Sequence, residues 1–158
     1  MIPRKIFAEE HEIFRDSVRR FMEAEVVPHY EDWEETGMAP RELWDKLGDA
    51  GFLCPMVPEE YGGVGGDYLF NAIIDEEIMR HGVAGIAGIS VHNDIIVPYI
   101  VDYGTEEQKS TWLPRMVSGE VVTAIGMTEP GGGSDLQAIR TTAKLDGNHY
   151  VINGQKTF

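Results

Sequence analysis

Residues 121–138 read Val-Val-Thr-Ala-Ile-Gly-Met-Thr-Glu-Pro-Gly-Gly-Gly-Ser-Asp-Leu-Gln-Ala, and within them one kind of chain gives way to another. Residues 121–127 are short, apolar and β-branched, the pattern of a buried strand. That strand runs into a turn whose three glycines lie between two hydroxyl residues, Thr128 and Ser134. Glycines let backbone N–H groups come close to an anion, and a following serine can donate to phosphate oxygens. A surface turn, with Ser134 and Gln137 as a capping box for a helical turn, also reads from the same residues. A bare glycine triplet fits that plainer reading better.

Downstream, residues 139–145 and 149–152 alternate as strands, with Asp146-Gly147 between them and Asn153-Gly154 after them as turns. Residues 155–158 begin another strand. Two or three strands make only a marginal sheet, and a terminal strand leaves unpaired edge groups. The chain therefore reads as stopping inside its second domain, with apolar residues in 121–127 and 151–158 short of partners.

Upstream, the period is helical. Phe7, His11, Phe14, Val18 and Phe21 form one stripe, with Glu9, Glu12, Arg15, Arg19 and Arg20 largely off it. Pro28 should end that helix near Val27. Pro40 suits the first turn of a second helix carrying Leu43, Trp44 and Leu47, stopped at Gly51. Asp67 can cap a third bearing Phe70, Ile73, Ile74 and Ile78, ended by Gly82. Residues 84–103 have few charges, as in a helix buried on most sides. Thr105 and Gln108 form a capping box for a last helix with Trp112, Leu113 and Met116. The expected fold is mainly α: an antiparallel helical bundle over residues 1–120, then the first strands of an incomplete β domain over 121–158.

The composition narrows the function. The chain has 158 residues, 13 basic and 27 acidic, for a formal charge of −14. So negative a chain is poorly suited to nucleic acid or to an anionic membrane surface. Its 42% hydrophobic content supports a core. The single cysteine, Cys54, allows no internal disulfide and no Cys-rich zinc site. No apolar run approaches about 20 residues, and the opening residues turn acidic where a signal peptide needs its apolar stretch. A soluble, cytoplasmic protein is expected.

Standard nucleotide motifs fail. After Gly131 and Gly133 a dinucleotide fingerprint needs glycine at 136, which is Leu136; after Gly63 and Gly65 it meets Tyr68, and the chain has no Gly-Lys pair for a P-loop. Glu76 and Glu77 are adjacent helix positions and share no face, so one solvated and one buried and paired is the expected outcome. His81 and His92 lack acidic ligands at matching spacing, so no metal site is read. Cys54 has no flanking base and should be packed. Trp33, Trp44 and Trp112 read as core or helix-packing residues. Ser90, His92, Asn93 and Ile96 sit on the low-charge helix, where polar groups ordinarily satisfy neighbours.

The stretch from Gly126 to Ala138 nevertheless resembles, at every defined position, the flavin-binding signature of the acyl-CoA dehydrogenase family. That signature runs small, apolar, Thr, Glu, two free, small, Gly, Ser, Asp, two free, small. Further family-like pieces follow the same order: Pro58-Glu59-Glu60-Tyr61-Gly62-Gly63, Gly104-Thr105-Glu106-Glu107-Gln108-Lys109 with Trp112-Leu113, and Asn153-Gly154-Gln155-Lys156. The opening Met-Ile-Pro-Arg-Lys-Ile-Phe and residues 127–137 resemble the long-chain branch.

The resemblance implies a flavoenzyme that binds FAD and forms a trans double bond between the α and β carbons of a fatty acyl-CoA. Electrons would pass to an electron-transferring flavoprotein, and the full-length form would be a homo-oligomer. It implies that Ile125, Gly126 and Met127 put backbone beside the flavin ring, and that Thr128 offers its hydroxyl and N–H to the ring's pyrimidine side. Glycines 131 to 133, Gly133 among them, would let the chain pass cofactor and thioester without a clash. Ser134 would touch the FAD pyrophosphate or the substrate's pantetheine arm. Phe158 matches an aromatic position that packs on the flavin, although a sheet-core residue is its plainer reading. The family's low-charge helix lines the acyl pocket. Its catalytic glutamate lies in a C-terminal helical domain, so no catalytic residue is assigned here, and the chain alone is expected to be inactive. A non-catalytic helical interaction module or an acyl-CoA-binding protein that retains the fold is the alternative.

Overall fold

A computed structural model describes residues 5–158. The first four residues of the opening segment used to point to the long-chain branch lie outside the described residues. Two compact units make up the chain, Met1–Ala124 and Ile125–Phe158.

The first unit is a bundle of five helical rods. The first rod begins with α1 (Glu9–Phe21) and does not stop at Pro28 as expected. It passes through a π turn, Met22–Val26, and a 3-10 turn, Val27–His29, into α2 (Tyr30–Thr36). Proline has no N–H for the carbonyl four residues back, and its ring crowds that carbonyl. Widening the preceding turn moves the carbonyl away, so the proline redirects the hydrogen bonds without ending the rod. Pro98 is handled in the same way: a π segment, Val91–Ile96, precedes α6 (Val97–Tyr103).

The remaining rods follow the sequence closely. α3 (Glu42–Asp49) ends before Gly51. α4 (Tyr68–Arg80) opens with the Asp67 carboxylate accepting from the Leu69 N–H at 2.9 Å. The fourth rod runs through Ala84–Ile86, α5 (Gly88–Ser90), the π segment and α6. α7 (Glu106–Val117) opens on the capping box: Gln108 N donates to Thr105 Oγ1 at 3.2 Å, and Thr105 N donates to Gln108 Oε1 at 2.9 Å.

Val18, Met22, Leu47, Ile73, Ile74, Ile78, Leu113 and Met116 build the core between these rods. The fourth rod, Ala84–Tyr103, is 20 residues long with a mean hydropathy of 1.3, so by length and composition it could cross a membrane. The expectation that no apolar run approaches about 20 residues does not hold for this rod. In the bundle, its Ile86, Ile89, His92, Asn93 and Val97 are buried.

The second unit departs further from expectation. Residues 121–127 form no strand. A strand needs a ladder, and among the described residues no other strand lies beside this stretch. Two strands form: β1 (Thr142–Asp146) pairs antiparallel with β2 (His149–Asn153), from Thr142 opposite Asn153 to Asp146 opposite His149. Gly147 and Asn148 make the two-residue loop, with the positive φ of 59° at Gly147 that a tight hairpin turn favours.

β1 starts three residues later than expected because the N–H groups of Arg140 and Thr141 are taken by the Glu129 carboxylate. Residues 155–158 also remain irregular. Ser134 does not cap the helical turn that follows it. The Asp135 carboxylate accepts from Gln137 N at 3.2 Å and caps Leu136–Ala138 instead, being one residue nearer to the turn.

Candidate functional site

The glycine-rich loop is a tight hairpin of its own. Glu129 and Gly132 exchange two backbone hydrogen bonds, each 3.0 Å, around Pro130 and Gly131. Thr128 and Gly133 flank that bridge on either side, with Ser134 next along the chain. On the other side, Thr157 N donates to Thr128 O at 2.9 Å, and Lys156 Nζ donates to Met127 O at 3.2 Å. Residues 126–128 therefore lie alongside residues 156–157. The structure thus gathers Gly126, Met127, Thr128, Gly133 and Ser134 into one loop, with Phe158 directly following the segment bonded to it. Phe158 is fully exposed and packs on nothing in the sheet.

Glycine is ordinarily needed for a positive φ or for a close approach within the protein. Neither holds at Gly131 or Gly133. Both lack a positive φ, and a Cβ built on either would meet no atom within 4 Å. Gly132 differs, because its Cβ would press on the Ala138 Cβ at 3.3 Å. Among the described residues no hydrogen bond engages the N–H of Gly133 or Ser134. The loop offers open space, free donors and two hydroxyls on a short hairpin, which fits a flat, phosphate-bearing group such as FAD.

Glu129 holds this shape and was not singled out from the sequence. It is the one buried residue among the described residues of Ile125–Phe158. Its carboxylate accepts from Arg140 N at 2.7 Å, Thr141 N at 3.0 Å and Lys156 Nζ at 3.0 Å. The nearby Thr141 hydroxyl, these N–H groups and the Lys156 ammonium hold its pKa down to about 2, against the opposing push of burial. Its position inside the signature was the available signal.

The low-charge helix carries a mostly structural set. His92 is wholly buried: Nε2 donates to Met116 O at 3.1 Å, so Nδ1 accepts from Thr123 Oγ1 at 2.8 Å. Burial lowers the His92 pKa, outweighing the carbonyl's opposite pull. Asn93 Oδ1 accepts from Cys54 N at 2.8 Å, and its Nδ2 donates to Phe52 O at 3.0 Å. Ser90 donates to Asp75, and Ile96 packs against the core. Cys54 is packed, and burial pushes its thiol up. Trp44 packs edge-on against His92 at 5.4 Å and Trp33 stacks on His29 at 5.9 Å. Trp112 corrects the sequence expectation: it is 42% exposed, because Leu113 and Met116 take the inward positions of α7. Among the described residues no group of three or more His, Cys, Asp or Glu could hold a metal ion.

Asp94, on the same rod, was also missed. Burial, then the charge of Asp75, push its carboxyl up to about 7, with Asn71 pulling the other way. A folded pKa above the ordinary carboxylate value means that stability is fully present below about pH 4 and is lost as pH rises through 7. Asp94→Asn is expected to gain roughly 1–2 kcal/mol near pH 8 once solvent screening is allowed for. Urea unfolding at pH 5 and pH 8 checks this: the parent should lose stability between them and the variant should not.

Residues 8–120 match the acyl-CoA dehydrogenase N-terminal domain, and residues 124–158 match the middle domain of the same enzymes. The chain belongs to the acyl-CoA dehydrogenase family. It is 49% identical over 155 residues to the pig (Sus scrofa) mitochondrial long-chain specific acyl-CoA dehydrogenase, covering 98% of this chain and 36% of that one. An acyl-CoA dehydrogenase structure from Geobacillus kaustophilus superposes with a TM-score of 0.93 at 53% identity, covering 99% of this chain and 41% of the other. A Bacillus anthracis acyl-CoA dehydrogenase solved with FAD gives 0.82 at 36% identity, covering 96% and 26%. The chain thus spans about two-fifths or less of each of these acyl-CoA dehydrogenases.

Proposed function

We propose that this chain supplies the helical N-terminal domain and the flavin-facing loop of an FAD-dependent dehydrogenase that converts fatty acyl-CoA to trans-2-enoyl-CoA. One observation carries the reading: at Gly131 and Gly133 neither a positive φ nor packing among the described residues calls for glycine, and the adjoining N–H groups of Gly133 and Ser134 are free to donate beside the Thr128 and Ser134 hydroxyls. Bound FAD would supply the hydride acceptor.

The chain's own residues bind and orient. The Met127–Thr128 backbone, braced by Lys156 and Thr157, presents a flat edge to an isoalloxazine. The Thr128 hydroxyl and the free N–H groups of Gly133 and Ser134 would be the donors that hold the flavin and its phosphates. Ser134 also stands where a pantetheine arm would pass. Phe158, exposed beside the same segment, is available to cover the flavin. The base that takes the substrate's α proton is assigned to none of residues 1–158. The electron acceptor in this reading is an electron-transferring flavoprotein, and the working form is a homo-oligomer.

Titrating FAD into the 158-residue chain, followed by flavin fluorescence, tests the loop. Weak binding is expected, with Kd above about 10 μM, and no turnover of palmitoyl-CoA with an artificial acceptor. Gly133→Leu fills the open space and should weaken FAD at least tenfold. Equal binding by the variant, or no binding by the parent, would remove the assignment.

A further inference from the structure

The buried residue among the described residues of Ile125–Phe158 is an acid, Glu129, and its carboxylate is met by polar donors. Three segments distant in sequence meet at one carboxylate. Glu129 belongs to the loop itself, Arg140 and Thr141 lead into β1, and Lys156 follows β2. Lys156 then reaches on to Met127 O, two residues before the carboxylate it neutralises. The backbone contact from Thr157 to Thr128 closes the same ring.

We propose that Glu129 and Lys156 form a charge latch that sets the Met127–Thr128 backbone and the 130–134 turn for the flavin, so that Glu129 is a positioning residue of that site. The inference rests on the flavin reading above and adds to it how the site keeps its shape. An ionised carboxylate can accept from all three donors at once. A glutamine amide cannot, because its NH2 would face an N–H or an ammonium. The charge, rather than the size, of residue 129 is therefore what the loop requires. Held at about 2, that charge stays in place throughout the neutral and mildly acidic range.

The test titrates FAD into five forms of the chain: the parent, Glu129→Gln, Lys156→Met, the double variant of these two, and Lys156→Arg. Flavin affinity and the visible circular dichroism of the bound flavin are read from pH 5 to 8. Glu129→Gln and Lys156→Met should each lose tenfold or more in affinity and alter the flavin spectrum. The double variant Glu129→Gln/Lys156→Met should be little worse than either single one, because both break the same latch. Lys156→Arg keeps the charge and should stay within threefold of the parent. Parent affinity should be flat from pH 8 to 5. Should Glu129→Gln bind FAD as the parent does, with the same spectrum, the latch is refuted while the flavin site stands. If the parent binds no FAD at all, the flavin reading itself fails and the latch's role falls with it. Far-UV circular dichroism of the helical unit should be the same in every form.

Discussion

Replacing Glu77 by alanine should cost the helical unit about 3 kcal/mol, near the lower end of what breaking a buried ion pair costs. Glu77 is 1% exposed on α4 and is gripped from α1. Arg19 donates to it with two nitrogens, Nε to Oε2 at 3.1 Å and Nη2 to Oε1 at 3.0 Å. Arg15 adds Nη1 at 3.4 Å to Oε1 and gives its shorter contact, 2.7 Å, to Glu76. Burial alone would push the Glu77 pKa up, but the two guanidiniums outweigh it and hold the carboxyl below its ordinary range.

Removing Glu77 leaves Arg15 buried with its Nη2 already lacking a partner. The loss is kept to the lower end because Arg15 retains Glu76 and Arg19 can reach solvent. Glu76→Ala, at the more exposed member of the adjacent pair, should cost under about 1 kcal/mol. Because the folded pKa of Glu77 is depressed, its contribution is present above the unfolded value, about 4.5, and is lost as pH falls below it. The gap between parent and Glu77→Ala in urea unfolding should therefore close under acid. Equal costs for Glu76→Ala and Glu77→Ala would contradict this reading.

That pair also marks how much a sequence can carry. The adjacency of Glu76 and Glu77 was enough to expect one of them buried and paired, because helix geometry is local; the other, Glu76, is half-buried and holds the same Arg15 at 2.7 Å, a contact that depends on where α1 lies. The caps at Asp67 and Thr105 were legible for the same reason. Pro28 was misread: its effect depends on whether the turn before it widens, and that is decided by what the rod packs against.

The second unit was harder. Residues 121–127 look like a strand by composition, yet strand formation depends on a neighbour that the pattern cannot name. The signature made Thr128, Gly133 and Ser134 visible because it is a contiguous run. Glu129 lay in that run too, but its partners come from residues 140, 141 and 156, and no spacing rule links them. His92 was legible as a buried polar residue, while its link to Thr123 was not.

Gly119→Ala should cost the helical unit about 3–4 kcal/mol. Two costs act together there. Gly119 sits at φ 80°, where an alanine pays roughly 1–2 kcal/mol. Its Cβ would also fall 2.8 Å from the Trp44 carbonyl carbon and closer still to the oxygen, so backbone must shift, at roughly 1–3 kcal/mol. Gly48 on α3 faces the same junction from the other side, its Cβ lying 2.5 Å from the Ser118 carbonyl carbon. Here α3 and the end of α7 touch backbone to backbone, and Arg41 seals the contact by donating to the Gly119 and Glu120 carbonyls.

Three alanines separate the two costs. Gly82→Ala, at φ 70° with open space around it and in the same unit, carries the conformational cost alone and should lose about 1 kcal/mol. Gly48→Ala carries the clash alone, offset in part by alanine's helix preference of about 1 kcal/mol, and should lose roughly 1–2. Gly119→Ala carries both and should exceed each. Because Trp44 also packs on His92, moving its backbone should loosen the His92–Thr123 bond as well. Faster amide exchange at Thr123 in Gly119→Ala, but not in Gly82→Ala, would locate the damage at that junction. A Gly119→Ala protein as stable as Gly82→Ala would mean that α3 and α7 have room to part, and the backbone contact is not what joins them.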